Sequence, residues 1–246
     1  MTTALVTGAS RGIGQAIAAQ LAARGVRIAL HYRQNRPAAE AALAALPGTG
    51  HALFAADFSD PAAAEPLMQA VLAAFGRIDL LINNAGIYHH HEPMVTSHAD
   101  WRKIWAETLA VNLIGPAHLS HLAAQAMSQG GRIVNISSRG AFRGEPEAPA
   151  YAASKAALNA LSQSMALALA PRGIYCYCLA PGWVETEMAI PHLKSPEGAA
   201  ILSQHPLGRV TSPEEVARTA VFCALDAPAA MTGSIIDLNG ASYLRT

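Results

Sequence analysis

Thr7-Gly8-Ala9-Ser10-Arg11-Gly12-Ile13-Gly14 follows the short apolar run Ala4 to Val6, and a pattern with Ile13, Ile17 and Leu21 on one helical face follows it in turn. Three glycines therefore stand where a strand becomes a helix. Glycine lets the backbone approach a ligand closely, and a helix N-terminus presents free N–H groups to an anion. In this first strand-to-helix setting, a turn that cradles a cofactor pyrophosphate is favoured over a glycine-rich turn with no ligand. The glycine spacing is three residues then one, not the one-then-two of the common dinucleotide fingerprint.

Outward from that turn, β-type runs alternate with longer helical stretches: Ala4 to Val6, Arg27 to Tyr32, Ala52 to Ala55, Ile78 to Ile82, Arg132 to Ile136, Ile174 to Leu179 and Ser234 to Leu238. Strands separated by helices imply a parallel sheet. Runs such as Leu80-Leu81-Ile82 are apolar without alternation, as a strand covered on both faces requires. The expected fold is α/β, a doubly wound seven-stranded parallel sheet of Rossmann type, in a single domain over residues 1–246. Asp60-Pro61 and Ser212-Pro213-Glu214-Glu215 read as helix starts, the second as a capping box. Glu187 to Arg209, broken by prolines and glycines, reads as a lid near a ligand cleft.

Composition removes several classes of function. With 52% hydrophobic and 14% charged residues the chain has ample core, so disordered and collagen-like readings fall away. Seventeen basic residues balance seventeen acidic ones, which removes the electrostatic case for nucleic acid or an anionic membrane. Cys176, Cys178 and Cys223 have no disulfide or zinc spacing and read as buried thiols in a reducing cytosol. The start of the chain lacks an export signal pattern and no apolar run is long enough to span a bilayer, so a cytoplasmic protein is expected.

Tyr151 and Lys155 lie four apart, on one face of a helix, where an ammonium lowers the phenol pKa from its usual value of about 10. Tyrosine then becomes a usable proton donor near neutrality. The chain holds only Lys103, Lys155 and Lys194, so a lysine here is not generic surface filling. With these residues, the sequence resembles the short-chain dehydrogenase/reductase family along essentially its whole length. The matching motifs, in order, are Thr7-Gly8 with Gly12 and Gly14, Asp57, Asn83-Asn84-Ala85-Gly86, Asn112, Ser138, Tyr151 with Lys155, and Pro181-Gly182 with Thr186.

The resemblance implies that Ser138 hydrogen-bonds the substrate oxygen, Tyr151 exchanges the proton, Lys155 holds the nicotinamide ribose, and Asn112 anchors a proton-relay water. It implies cofactor contacts from Gly8, Ser10, Arg11, Gly12, Ile13 and Gly14, from Asp57 and Phe58 beside adenine, and from Asn84, Ala85 and Gly86 near the adenosine ribose. Pro181, Gly182, Val184 and Thr186 would meet the carboxamide and pyrophosphate. The residues agree with the chemistry, because hydride delivery to a carbonyl needs an acid for the developing alkoxide and donors aimed at it.

The second strand ends His31-Tyr32-Arg33, with no carboxylate for a ribose 2′-hydroxyl. Arg33 and Arg11 instead offer guanidinium groups to a 2′-phosphate, so NADP(H) is the expected cofactor; Arg36 fits either that role or an ordinary loop end. His89-His90-His91-Glu92 reads as a polar loop at the cleft mouth and His118 and His121 as helix-surface or interface residues; no metal is expected. Tyr177 and Asn239-Gly240-Ala241 depart from the family pattern, and either Trp101 or Trp105 stands for its usual tryptophan.

Within the family the sequence is most like the 3-oxoacyl-acyl-carrier-protein reductases of fatty acid biosynthesis, which implies a ketone or acyl-thioester substrate carried on acyl carrier protein and a homotetramer. Reduction of a free ketone, sugar or secondary-metabolite intermediate stays open, as does a silent NADP-binding regulator. Ser128-Gln129-Gly130-Gly131-Arg132 lacks part of the basic patch a carrier would use, leaving Arg172, with Arg139 and Arg143 near the substrate mouth.

Overall fold

The computed structural model describes residues 1–187, 189–196 and 198–245. One parallel sheet runs in the order β3-β2-β1-β4-β5-β6-β7, with β1 at Thr3–Val6, β2 at Arg27–Tyr32, β3 at Ala52–Ala55, β4 at Leu80–Asn83, β5 at Arg132–Ile136, β6 at Tyr175–Pro181 and β7 at Ile235–Leu238. The order reverses at β1, where β2 lies on one side and β4 on the other. Such a switch point opens a crevice at the carboxyl ends of the strands.

Both faces of the sheet are covered, and the strand residues divide strictly by side. Ala4, Val6, Ile28, Leu30 and Ile82 face α1 (Gly12–Ala23) and α10 (Pro213–Val221), which bring Ile17, Leu21, Val216 and Ala220. Leu5, Ala29, Leu81 and Ile133 face the other way, against α3 (Ala64–Phe75), α5 (Gly115–Ala126) and α7 (Pro149–Leu169), which bring Leu67, Val71, Leu119 and Ala166. α2 (Arg36–Ala44) joins the α1 side, and α4 (His98–Leu109) leads into α5.

Three strands have the bounds the sequence suggests, and others shift for local reasons. β4 begins at Leu80, not Ile78, because Asp79 is spent on the end of β1: its N–H donates to the Thr3 carbonyl at 3.0 Å and its carboxylate accepts from the Thr3 N–H at 2.8 Å. Ile78 is buried all the same. β6 extends to Pro181, opposite Leu238 at the strand's last position, where a missing N–H is tolerated. Both helix starts form as read: Asp60 accepts from the Ala62 N–H at 2.9 Å, and Ser212 and Glu215 complete a reciprocal box. The stretch from Glu187 to Arg209 carries two short helices, α8 (Ile190–Leu193) and α9 (Gly198–Ser203); Met188 and Glu197 lie outside the described residues.

α7 is held by a buried polar rung. Asn83 donates to Asn135 Oδ1 at 2.7 Å and to Ser120 Oγ at 3.1 Å, and Asn135 donates to Ser162 Oγ at 2.7 Å. These bonds join β4, β5, α5 and α7 in the buried interior, where losing a partner is costly, so they fix the height of α7 along the sheet, although Asn83 Oδ1 has no partner among the described residues. That height places Tyr151 and Lys155 at the carboxyl end of β5.

Candidate active site

A cleft of about 400 Å³ opens at the switch point. On one side the glycine turn is stapled to the loop after β4. Thr7 Oγ1 accepts from the N–H groups of Asn84 and Ala85 at 2.9 and 3.0 Å, while Asn84 Nδ2 donates to the carbonyls of Thr7 and Gly8 at 2.9 and 3.1 Å. Gly8 sits at φ +63°, and a Cβ on Gly14 would lie 2.4 Å from the Gly8 carbonyl, so neither position accepts a larger residue without rearrangement. Among the described residues no side chain caps the N-terminus of α1, which leaves its first N–H groups for an anion.

His31, absent from the sequence-based site, supports this turn from below. Its Nδ1 accepts from the Gly8 N–H at 3.0 Å and its Nε2 donates to the Ala56 carbonyl at 3.1 Å, while its ring stacks on Phe58 at 4.7 Å. Burial pushes its pKa down to about 4, although the Ala56 carbonyl and Asp57 oppose this. Arg33 is exposed at the cleft edge, and Arg11 Nη1 bonds Glu187 Oε2 at 2.9 Å. Arg36 pairs instead with Glu40 on its own helix.

At the other end of the cleft stand Ser138, Tyr151 and Lys155. Ser138 lies in the turn after β5, with its Oγ accepting from the Gly140 N–H at 3.0 Å in the short helix α6 (Gly140–Arg143). Tyr151 and Lys155 occupy one face of α7, and Lys155 Nζ donates to the Ile136 carbonyl at 2.8 Å. The anticipated lowering of the phenol pKa does not appear. Burial raises it, opposed by the Ser138 hydroxyl, and the ammonium is turned to Ile136, 5.8 Å from the phenol ring centroid. Burial also brings Lys155 down to about 8. At neutral pH, then, the tyrosine is a protonated donor and the lysine is still mainly charged.

Asn112 is brought to the back of the site and does not line the cleft. It lies in a π-helical turn, Ala110–Ile114, between α4 and α5. There its Oδ1 accepts from the Ile87 N–H at 2.8 Å, and its Nδ2 donates to the Ile87 carbonyl at 3.0 Å and to Ser154 Oγ at 3.1 Å. A π turn at such a place is a common functional device, since it re-aims one side chain without ending the helix. Gly14 likewise packs behind the turn. The remaining candidates, Gly8, Ser10, Arg11, Gly12, Ile13, Arg33, Asp57, Phe58, Asn84, Ala85, Gly86, Pro181, Gly182, Val184 and Thr186, all line the cleft.

The histidine loop does not form the mouth. His91 is buried, donates from Nδ1 to the His89 carbonyl at 2.8 Å and accepts at Nε2 from the Ala150 N–H at 3.2 Å, so it caps the start of α7. His90 turns to Glu147 at 2.7 Å. Among the described residues no group of three His, Cys, Asp or Glu is placed to share a metal ion. The substrate end is lined instead by Tyr88, Glu145, Trp183 and His192, which the sequence reading missed. Tyr88 packs edge-on against Tyr151 at 5.1 Å. Its position two residues after Gly86 was the available signal, as was that of Trp183 directly after Gly182.

The donors present fit a phosphorylated dinucleotide: a glycine cradle that a Cβ would fill, an uncapped helix N-terminus, and two guanidinium groups at the rim. A family model described as enoyl-(acyl carrier protein) reductase matches residues 8–240. The 3-oxoacyl-(acyl-carrier-protein) reductase FabG of Escherichia coli (strain K12) is 37% identical over 243 residues, covering 98% of this chain and 97% of the relative. D-threitol dehydrogenase of Mycolicibacterium smegmatis is 37% identical over 241 residues, covering 96% and 91%. A crystal structure of a short chain dehydrogenase from Burkholderia cenocepacia J2315 in complex with NADP aligns at a TM-score of 0.89 with 34% identity, covering 98% of this chain and 97% of that one. The glycine turn, the sheet order and the Ser138, Tyr151 and Lys155 grouping thus meet in one assignment: the chain belongs to the short-chain dehydrogenase/reductase family.

Proposed function

We propose that this chain is an NADP(H)-dependent oxidoreductase that reduces a ketone to a secondary alcohol. The observation that carries the reading is the joint placement of Ser138, Tyr151 and Lys155 at the end of the cleft away from Arg11 and Arg33. When bound, NADP(H) supplies the hydride. Ser138 donates a hydrogen bond to the carbonyl oxygen, and Tyr151, kept protonated by burial, gives its proton to the oxygen as negative charge develops there. Lys155 holds the nicotinamide ribose and adds positive charge beside the phenol. Asn112 acts through the Ile87 peptide, which it grips on both sides. Arg11 and Arg33 select the 2′-phosphate.

Similarity to the Escherichia coli reductase supports a 3-oxoacyl thioester on acyl carrier protein as substrate, as in fatty acid biosynthesis. The charges at the mouth favour a second reading, a free ketone. Arg139 is 3% exposed and donates to Ser242 Oγ at 2.6 Å, while the charge of Arg143 is offset by Glu145 at 3.8 Å, which weakens the basic patch an acidic carrier would use. Arg172 lies before β6, at the opposite end of the sheet from the cleft. The three free, buried cysteines support a reducing, cytoplasmic setting. Exposed Ala156, Ala160 and Leu167 on α7 support a twofold helix contact within a homotetramer. A panel of diketones, acyl thioesters and carrier-bound 3-oxoacyl groups, followed by NADPH oxidation, tests the reading. Failure of every carbonyl to consume NADPH would overturn it.

A further inference from the structure

Glu145 is a carboxylate in the cleft that the mechanism above does not use. It stands on the loop between α6 and α7, in the lining that also holds Ser138 and Tyr151. Its side chain is only 20% exposed, and its nearest cation, Arg143 Nε, is 3.8 Å away. Among the described residues no donor hydrogen-bonds its oxygens. Gly140 makes room for it: a Cβ there would lie 2.6 Å from Glu145 Oε1. The Gly140 N–H in turn bonds Ser138 Oγ, so the carboxylate lies against the same turn that aims the Ser138 hydroxyl.

A half-buried acceptor without a donor is costly, and a site built around one discriminates strongly between ligands that do and do not supply the missing group. Charge sharpens the argument. Burial raises the Glu145 pKa against the pull of Arg143 and Arg139; burial is also the main cause of the raised pKa values of Tyr88 and Tyr151, with the Glu145 charge adding to it. An unscreened carboxylate would also oppose the negative charge that develops on the substrate oxygen. A hydroxyl placed between the two answers both costs, because it donates to Glu145 and screens it. A plain alkyl chain answers neither, and a thioester carbonyl sets an acceptor against an acceptor.

We propose that Glu145 is a specificity-determining residue that accepts a hydrogen bond from a hydroxyl next to the reacting carbonyl, so that the favoured substrates are hydroxy-ketones and not simple alkyl ketones. The inference rests on the ketone-reductase reading and narrows its substrate class. The test measures kcat/KM with NADPH for 1-hydroxybutan-2-one and butan-2-one in the unmodified protein, in Glu145→Leu and in the near-isosteric Glu145→Gln. Comparing the ratio between proteins removes the intrinsic reactivity difference of the two ketones. The ratio is expected to fall at least about tenfold in Glu145→Leu, and by less in Glu145→Gln, which keeps one acceptor. NADPH binding by each variant reports that it is folded, and Glu145→Gln decides the matter if the leucine variant is not. A ratio unchanged by the substitution overturns the proposal alone, leaving ketone reduction in place. Absence of NADPH oxidation with any ketone, a diketone included, overturns the ketone-reductase reading and the proposal with it.

Discussion

Arg11 Nη1 lies 2.9 Å from Glu187 Oε2, joining the glycine turn to the segment after β6 across 176 residues of chain. Both side chains are more than 60% exposed, at 63% and 67%, so the pair is worth at most about 1 kcal/mol and gives way readily to a better anion. A 2′-phosphate is such an anion. NADPH is therefore preferred over NADH, and Arg33→Asp erodes or reverses the preference. Glu187→Gln, which frees Arg11, tightens NADPH by no more than about fivefold at low salt. Kd values for both cofactors by fluorescence titration check this. Equal kcat/KM with NADPH and NADH in the unmodified protein would contradict it.

His31 predicts an acid-sensitive step in stability. Its pKa is about 4 in the folded chain against a reference of 6.5, so between those values the unfolded chain binds more protons. Stability from the neutral imidazole is complete above pH 6.5 and drains away as pH falls towards 4. By linkage the loss at pH 5 is about 2 kcal/mol. His31→Gln lowers stability at pH 7.5 but flattens this leg of the profile. Urea midpoints at pH 7.5 and 5 for both proteins give the comparison, and parallel profiles would show that His31 is not the titrating group.

Gly14→Ala tests the stapled turn. The added Cβ would lie 2.4 Å from the Gly8 carbonyl and from Asn84 Nδ2, and neither belongs to a flexible end free to move aside. The substitution costs several kcal/mol, on the scale of a severe overpacking mutation, and gives little soluble protein. Thermal melts of Gly14→Ala within a few degrees of the parent would refute the geometry.

The exposed small face of α7 predicts a mass of four chains by light scattering at micromolar concentration. Ala160→Glu, which sets charge in that face, yields smaller species. A monomer mass for the unmodified protein would reject the assembly.

What the sequence made legible was whatever local pattern governs. The glycine turn, the β2, β3 and β5 bounds and both proline-led helix starts each follow from a few adjacent residues. The limits of β4 and β6 did not, because they depend on Asp79 bonding across to Thr3 and on Pro181 facing Leu238. Most of the cleft lining was readable through the family resemblance. Tyr88 and Trp183 carried a signal in their places after Gly86 and Gly182, whereas Glu145 and His31 acquire meaning only from what lies opposite them. Asn112 was found, but the π turn that carries it was not, because such a turn leaves no clear mark in the sequence; it directs the amide to Ile87. The Tyr151 phenol shows the same limit. Helical spacing set the lysine on the right face, yet burial decides which way the phenol pKa moves, while the lysine's own bond goes to the Ile136 carbonyl.

The most direct test of the central claim is single-turnover NADPH oxidation with a diketone by the unmodified protein and by Tyr151→Phe, with NADPH binding measured on both. The phenylalanine keeps the ring against Tyr88 and removes only the proton donor, so the rate falls by about 10²–10⁴ while the NADPH Kd stays within about twofold. A Tyr151→Phe protein that binds NADPH and retains most of the rate would contradict the assignment of Tyr151 as the acid.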